Sequence, residues 1–307
     1  MNKSESPPLI ELRSLDELWF QVAGTVCNLT CHHCFISCSP QNHSFEFLGF
    51  DEVEEALQES VQFGVREFYF TGGEPFLNKD LVRMVKRALD FGPVTILTNG
   101  TVLKPEWLQQ LTAAERDSIY CLELRVSIDG PTAAINDPIR GEGTFDRAMN
   151  GVSLLCRHGF LPIITMTQTW GDSENQSILA QFRTVLRKNG CARPRLKILP
   201  RLKLGAEEDR TEGYQVTERI THEMMQDFDR NQLLCHHSRV VTNRGIYVCP
   251  ILLEATDANL GETLDEATHA FPLSHGACYT CYQYGAICTN TTLMTRDTPA
   301  TVSEPPS

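Results

Sequence analysis

No stretch of this 307-residue chain approaches the roughly 20 consecutive apolar residues that a membrane-spanning helix needs. The opening residues, MNKSESPPLIELRSLDELWF, lack a basic segment followed by an apolar core, so no secretory signal is read there. Positive charge is also short: 27 Lys and Arg face 39 Asp and Glu, a formal net charge of −12. A chain so acidic lacks the broad cationic surface that phosphate backbones demand, which excludes nucleic acid as an expected partner. With no membrane segment either, the expected location is cytoplasmic.

Cysteine, by contrast, is abundant. Twelve thiols in a chain with no export signal argue against a disulfide framework, because the cytosol keeps thiols reduced. Four lie between residues 27 and 38 and five between 235 and 288, while Cys121, Cys156 and Cys191 are scattered and read as small buried hydrophobes. Two clusters far apart in the chain point to two separate metal or iron–sulfur sites.

Between the clusters, short β-rich runs alternate with helical patterns. The runs are 18–24, 67–71, 93–100, 121–130, 161–168 and 194–200, several apolar on consecutive residues, as in parallel strands buried on both faces. Asp51 with Glu54 resembles a capping box, with Gly64 as the stop. Leu81, Met84, Val85, Ala88 and Leu89 share one helical face, and 144–159 and 173–190 read as helices too. Six β-then-α units imply an α/β fold, either a partial (β/α)6 TIM-like barrel or a doubly wound sheet. Either architecture puts function at the carboxyl ends of the strands.

The motifs fall there. Cys27-x3-Cys31-x2-Cys34 follows the first strand, Gly72-Gly73-Glu74-Pro75 ends the second, Thr98-Asn99-Gly100 the third and Ser127-Ile128-Asp129-Gly130 the fourth. Three thiolates suit a cubane cluster with one iron left open. A zinc site would instead recruit His32 or His33 as a fourth ligand, and the eight residues alone leave both readings standing. The three cysteines, followed after 38 residues by Gly72-Gly73-Glu74-Pro75, resemble the radical S-adenosylmethionine (SAM) enzymes. The resemblance spans roughly residues 18–205 and continues through Asp137–Gly141 and Gly143–Phe145. It implies a [4Fe–4S] cluster on Cys27, Cys31 and Cys34 whose open iron chelates SAM. It also implies that the backbone and carboxylate of Gly72-Gly73-Glu74 receive the SAM ammonium, and that Ser127 and Asp129 lie near its ribose or the substrate. Asn99, on the third strand tip, joins this cofactor-binding set. Where the family often carries an aromatic residue, this chain has His33, expected to pack beside the cluster or the adenine. Cys38 reads as a spare thiol.

Beyond Gly205 the alternation stops. GAEEDRTEG reads as an acidic linker, residues 215–230 as a helix, and the polar, Pro-rich end as a disordered tail. Cys235-x13-Cys249 and Cys278-x2-Cys281-x6-Cys288 resemble the SPASM or twitch extension that carries auxiliary clusters. Cys235, Cys249, Cys278 and Cys281 are the expected ligands of a second [4Fe–4S] cluster, with Cys288 alternative or spare; four thiolates would also suit a zinc ribbon. The domains expected are an arm (1–17), a radical SAM core (18–205), an auxiliary-cluster region (206–289) and a tail (290–307).

The function this implies is an oxidoreductase. A flavodoxin- or ferredoxin-like donor supplies one electron, SAM is cleaved to a 5′-deoxyadenosyl radical, and that radical abstracts hydrogen from substrate. Only 26 residues precede Cys27, too few for a leader-gripping domain, which favours a small metabolite such as a sugar or cyclitol over a short peptide. A non-catalytic iron–sulfur or zinc scaffold is the competing class.

Overall fold

The computed structural model describes residues 6–287; the expected tail and Cys288 lie outside the described residues. The six strands expected from the apolar runs form, as β2 (Glu17–Gln21), β3 (Glu67–Thr71), β4 (Val94–Thr98), β5 (Leu122–Ser127), β6 (Ile163–Thr167) and β7 (Arg195–Leu199). They pair in that order, all parallel, with helices in the crossovers. The helices are α1 (Phe50–Phe63), α2 (Leu81–Ala88), α3 (Pro105–Asp117), α4 (Ala133–Arg140), α5 (Thr144–Arg157) and α6 (Asn175–Lys188). The result is the parallel β/α arrangement of a partial barrel.

Pleating divides each strand between two environments. Leu18, Phe20, Phe68, Phe70, Val94, Ile96, Leu124, Val126, Ile164 and Met166 are buried in the apolar core. Phe20 packs on Phe68 and Phe70 at centroid distances of 6.4 and 5.1 Å. Burying each such ring is worth on the order of 2 kcal/mol. The alternate residues Trp19, Gln21, Thr71, Leu97, Arg125, Ser127, Thr165, Thr167 and Leu199 face a cavity instead.

α1 starts earlier than its expected box. Gly49 is the N-cap, and Glu52, not Glu54, accepts from the Gly49 N–H at 2.6 Å. Phe50, drawn into the helix, carries the Arg83 guanidinium 3.5 Å over its ring, while Glu54 is taken by Arg87 at 2.7 Å. Gly64 closes the helix in the left-handed region as expected (φ 68°).

After β7 the chain makes the short helix α7 (Glu208–Thr211) and returns to the same sheet. β8 (Ser238–Thr242) runs parallel to β2 on its free side, followed by antiparallel β9 (Gly245–Tyr247) and β10 (Asn259–Gly261). The described sheet therefore has nine strands, ordered β10-β9-β8-β2-β3-β4-β5-β6-β7. β1 (Leu9–Ile10) pairs with β11 (Phe271–Pro272), and α8 (Gly276–Tyr284) follows.

Two expectations about this region are corrected. Residues 215–230 form turns, a 3-10 turn at Glu223–Met225 and the start of another at Arg230–Gln232, not a helix. Val216, Thr217, Ile220 and Thr221 are β-branched and stiff, and the apolar side chains are claimed one by one. Ile220 and Met225 join the core, while Phe228 stacks on Tyr282 of α8 at 4.5 Å. Nor does the acidic stretch hang free as a linker. Gly205 abuts Cys34 and Phe35, where an added Cβ would meet the Cys34 carbonyl oxygen at 2.7 Å, and the Ala206 N–H donates to that oxygen at 2.9 Å.

Candidate functional site

The loop leaving β2 is shaped by its own backbone before any ligand is considered. Gly24 takes φ +51° against the Phe45 carbonyl, Thr25 Oγ1 donates to Asn42 at 3.0 Å and accepts from the Phe45 N–H at 3.1 Å, and Cys27 N–H donates to Ser39 O at 3.2 Å. Donors are aimed at the sulfurs: Leu29 N–H to Cys27 Sγ at 3.4 Å, Cys38 N–H to Cys34 Sγ at 3.2 Å and Asn99 Nδ2 to Cys27 Sγ at 3.7 Å. Such donors favour thiolate and metal-bound sulfur. Burial still pushes Cys27 up to about 12 and Cys31 up to about 11, Arg140 pulling against it at Cys31. Cys34 goes the other way, down to about 6, first through a hydrogen bond from the Cys38 thiol.

The glycines after β3 make room for this loop. A Cβ on Gly73 would sit 2.1 Å from the Val26 carbonyl oxygen and 2.8 Å from Cys27 N. Gly73 and Glu74 N–H groups instead donate to Gly24 O and Val26 O at 2.9 and 3.1 Å. Gly72 and Gly73 line the cavity; the Glu74 carboxylate, expected to face an ammonium there, is fully buried and turned to β4. It accepts from Thr98 Oγ1 and Asn99 N–H at 2.7 Å each and from Phe76 N–H at 3.1 Å. Burial outweighs these donors and lifts its pKa to about 7.

Asp129 is likewise committed. His33 Nε2 lies 2.7 Å and Arg140 Nε 2.5 Å from its Oδ2, and Thr167 N–H donates to Oδ1 at 2.7 Å. Burial pushes its pKa up, but Arg140 and His33 more than offset that and hold it below the usual carboxylate range. The carboxylate does not line the cavity, whereas both residues it holds do. Arg140, Cys38, Gln21, Arg125, Thr165 and Thr167 also border the cavity, and the sequence reading gave none of them a role there. Arg140 stands inside the Asp137–Gly141 stretch already singled out, 11 residues beyond Asp129, and an arginine so placed after a strand tip was the available signal.

Cys27, Cys31, Cys34, His33, Gly72, Gly73, Asn99, Ser127 and Arg140 thus border one cavity at the carboxyl end of the sheet, about 1170 Å³ with its open mouth included. His33 Nδ1 is buried, has no hydrogen-bond partner among the described residues and belongs to a residue bordering this cavity, an orphan that fits a ligand in the space. His32 is exposed and takes no place in the cavity wall.

Cys235, Cys249, Cys278 and Cys281 line a second, almost wholly apolar cavity, about 360 Å³ with its open surroundings included, together with Leu233, Val248, Leu252 and Phe271. Burial raises Cys235 to about 12 and lifts Cys249 and Cys278. Among the described residues, no group of three or more His, Cys, Asp or Glu side chains is arranged to hold a metal ion.

Residues 22–180 match the radical SAM superfamily, just over half of the chain, and the chain belongs to that superfamily. It is 34% identical over 133 residues to the AdoMet-dependent heme synthase of Nitratidesulfovibrio vulgaris, covering 42% of this chain and 34% of the relative. It is 31% identical over 166 residues to the mycofactocin maturase MftC of Mycobacterium tuberculosis, covering 53% and 40%. The aligned part is thus well under half of these relatives' length. Among solved structures, SuiB of Streptococcus suis bound to S-adenosylmethionine superposes with a TM-score of 0.60 at 16% identity, over 81% of this chain and 63% of that one. SuiB bound to its precursor peptide SuiA gives the same TM-score over 84% and 65%. These likenesses concern the fold, an α/β partial barrel. No described helix is long and apolar enough to cross a membrane.

Proposed function

We propose that this chain is a radical SAM oxidoreductase in which Cys27, Cys31 and Cys34 hold a [4Fe–4S] cluster, leaving one iron for SAM. The observation that carries this reading is the meeting of three thiols, the Gly72–Gly73 backbone, an orphan imidazole nitrogen and a buried guanidinium on one cavity wall. Cluster and SAM together supply a 5′-deoxyadenosyl radical that takes a hydrogen atom from substrate. The protein's part is positioning. Gly72 and Gly73 offer backbone oxygen to the SAM ammonium, and Arg140, anchored by Asp129, keeps guanidinium N–H groups for the SAM carboxylate. Asn99 and Ser127 present an amide and a hydroxyl to the ribose, and His33 Nδ1 meets the nucleoside or substrate. Glu74 and Asp129 act one layer behind, holding the loops that make these contacts.

In this reading residues 206–289 are a SPASM/twitch-like region with an auxiliary [4Fe–4S] cluster on Cys235, Cys249, Cys278 and Cys281, Cys288 being an alternative ligand. Support comes from four thiols around an apolar space. Four thiolates would also suit a zinc ribbon, and the iron and zinc counts below separate the two. The substrate is a small polar metabolite admitted beside Gln21, Arg125, Thr165 and Thr167 on the cavity wall. A peptide substrate is the second reading, favoured by the likeness to a maturase and to SuiB bound to a precursor peptide. A flavodoxin- or ferredoxin-like protein supplies the electron.

Anaerobic reconstitution with dithionite and SAM tests the core of this. The expected product is 5′-deoxyadenosine, abolished in Cys31→Ala; none from the wild-type chain would overturn the reading. About eight irons per chain mark two cubanes, against about four with one zinc for a ribbon. Deuterium carried from a candidate substrate into 5′-deoxyadenosine identifies the substrate.

A further inference from the structure

Arg239, on β8, is 1% exposed. A guanidinium so buried ordinarily faces a carboxylate, because removing bare charge from water costs several kcal/mol. The chain follows that rule at Arg140, paired with Asp129 at 2.5 Å, and at Arg125, beside Glu123 at 3.4 Å. At Arg239 it does not. Nε donates to the Ala267 carbonyl at 2.7 Å, and Nη1 to the carbonyls of Cys235 and Ser238 at 2.8 and 2.7 Å. Among the described residues no carboxylate stands within ion-pair distance of it. Arginine keeps its proton in proteins, and the acidic groups that act on this one are the thiols of Cys235 and Cys249. Three carbonyls from two segments thus clamp a permanent cation beside the second cysteine site, one of them belonging to Cys235 itself.

We propose that Arg239 is the built-in countercharge of the second cysteine site, raising the reduction potential of the cluster held there. This rests on the auxiliary-cluster reading. A cubane on four thiolates carries net negative charge, and one-electron reduction adds another unit inside an apolar cavity. A fixed cation nearby stabilises the reduced form more than the oxidised one, since Coulomb attraction grows with the charge it meets and is weakly screened there. Arg239 is a positioning residue: it touches no substrate, and its effect is read in the cluster's potential.

The test is an anaerobic redox titration of the reconstituted full chain, followed by electron paramagnetic resonance, for wild type, Arg239→Gln and Arg239→Lys, with iron counted in each. In Arg239→Gln the auxiliary midpoint should move to lower potential, or the auxiliary irons should be lost, while the first site keeps its irons, midpoint and SAM-dependent signal. Arg239→Lys, retaining the charge, should keep the irons and sit nearer wild type. A fully loaded Arg239→Gln with the wild-type midpoint overturns the inference. So does a lysine variant that falls with the glutamine one, since the carbonyl clamp and not the charge would then matter. Wild-type protein with no second cluster signal fails earlier and differently, overturning the auxiliary-cluster reading itself.

Discussion

Asp129 shows how one side chain can organise a site without bordering it. It ties the cysteine loop through His33, the end of α4 through Arg140, and β6 through the Thr167 N–H. Asp129→Asn keeps the shape and removes the charge that Arg140 needs, so it should cost about 3–5 kcal/mol, measurable by urea denaturation of the metal-free chain. Ser127→Ala, whose hydroxyl lies 3.3 Å from Thr165 Oγ1, should cost under about 1 kcal/mol in the same assay. Glu17 gives a pH prediction. Burial raises its pKa from 4.5 to about 8, so between those values the folded chain holds a proton that the unfolded chain has released. Its contribution is full below pH 4.5 and is lost as pH rises to about 8, near 1.4 kcal/mol per pH unit. Glu17→Gln should flatten that slope in denaturation measured across the window.

At the scale of elements, the cysteine loop and the β3 tip form one piece. Because a Cβ on Gly73 would lie 2.1 Å from Val26 O, Gly73→Ala must push the loop off the strand. Iron bound at the first site should drop several-fold, while Gly64→Ala, whose added Cβ meets nothing within 4 Å, should leave it intact. The same pairing marks how far the residues alone could be read. The six strands were legible because buried parallel strands write themselves as apolar runs, and the polar tips follow from them. Side-chain direction was not. Glu74 and Asp129 look like ligands in one dimension, yet each finds three donors from the fold first. Arg140 depends on α4 folding back on the β5 tip, and β1 on a partner, β11, more than 250 residues away. Residues 215–230 carry four β-branched residues and give their apolar groups to separate neighbours. Those are long-range facts, and periodicity carries only local ones.

At the scale of the molecule, β2 is an interior strand, with β3 on one side and β8 on the other. The His236 and His237 carbonyls also accept from Arg13, Asp16 and Glu17 N–H groups. A chain ended at residue 205 would expose the edge of Leu18, Trp19 and Phe20, and should aggregate or lose cooperative unfolding, as seen by sedimentation and circular dichroism. The order of synthesis gives this arrangement a further consequence. The ribosome releases Cys27, Cys31 and Cys34 early, but the backstop that Gly205 and Ala206 give Cys34, and the β8 flank of β2, emerge only much later. Until then the nascent chain carries three thiols on an unsupported loop, open to oxidation or to the wrong metal. On the proposed cluster reading, loading follows the synthesis of β8, and pulse-labelled iron should enter full-length protein and not ribosome-bound intermediates.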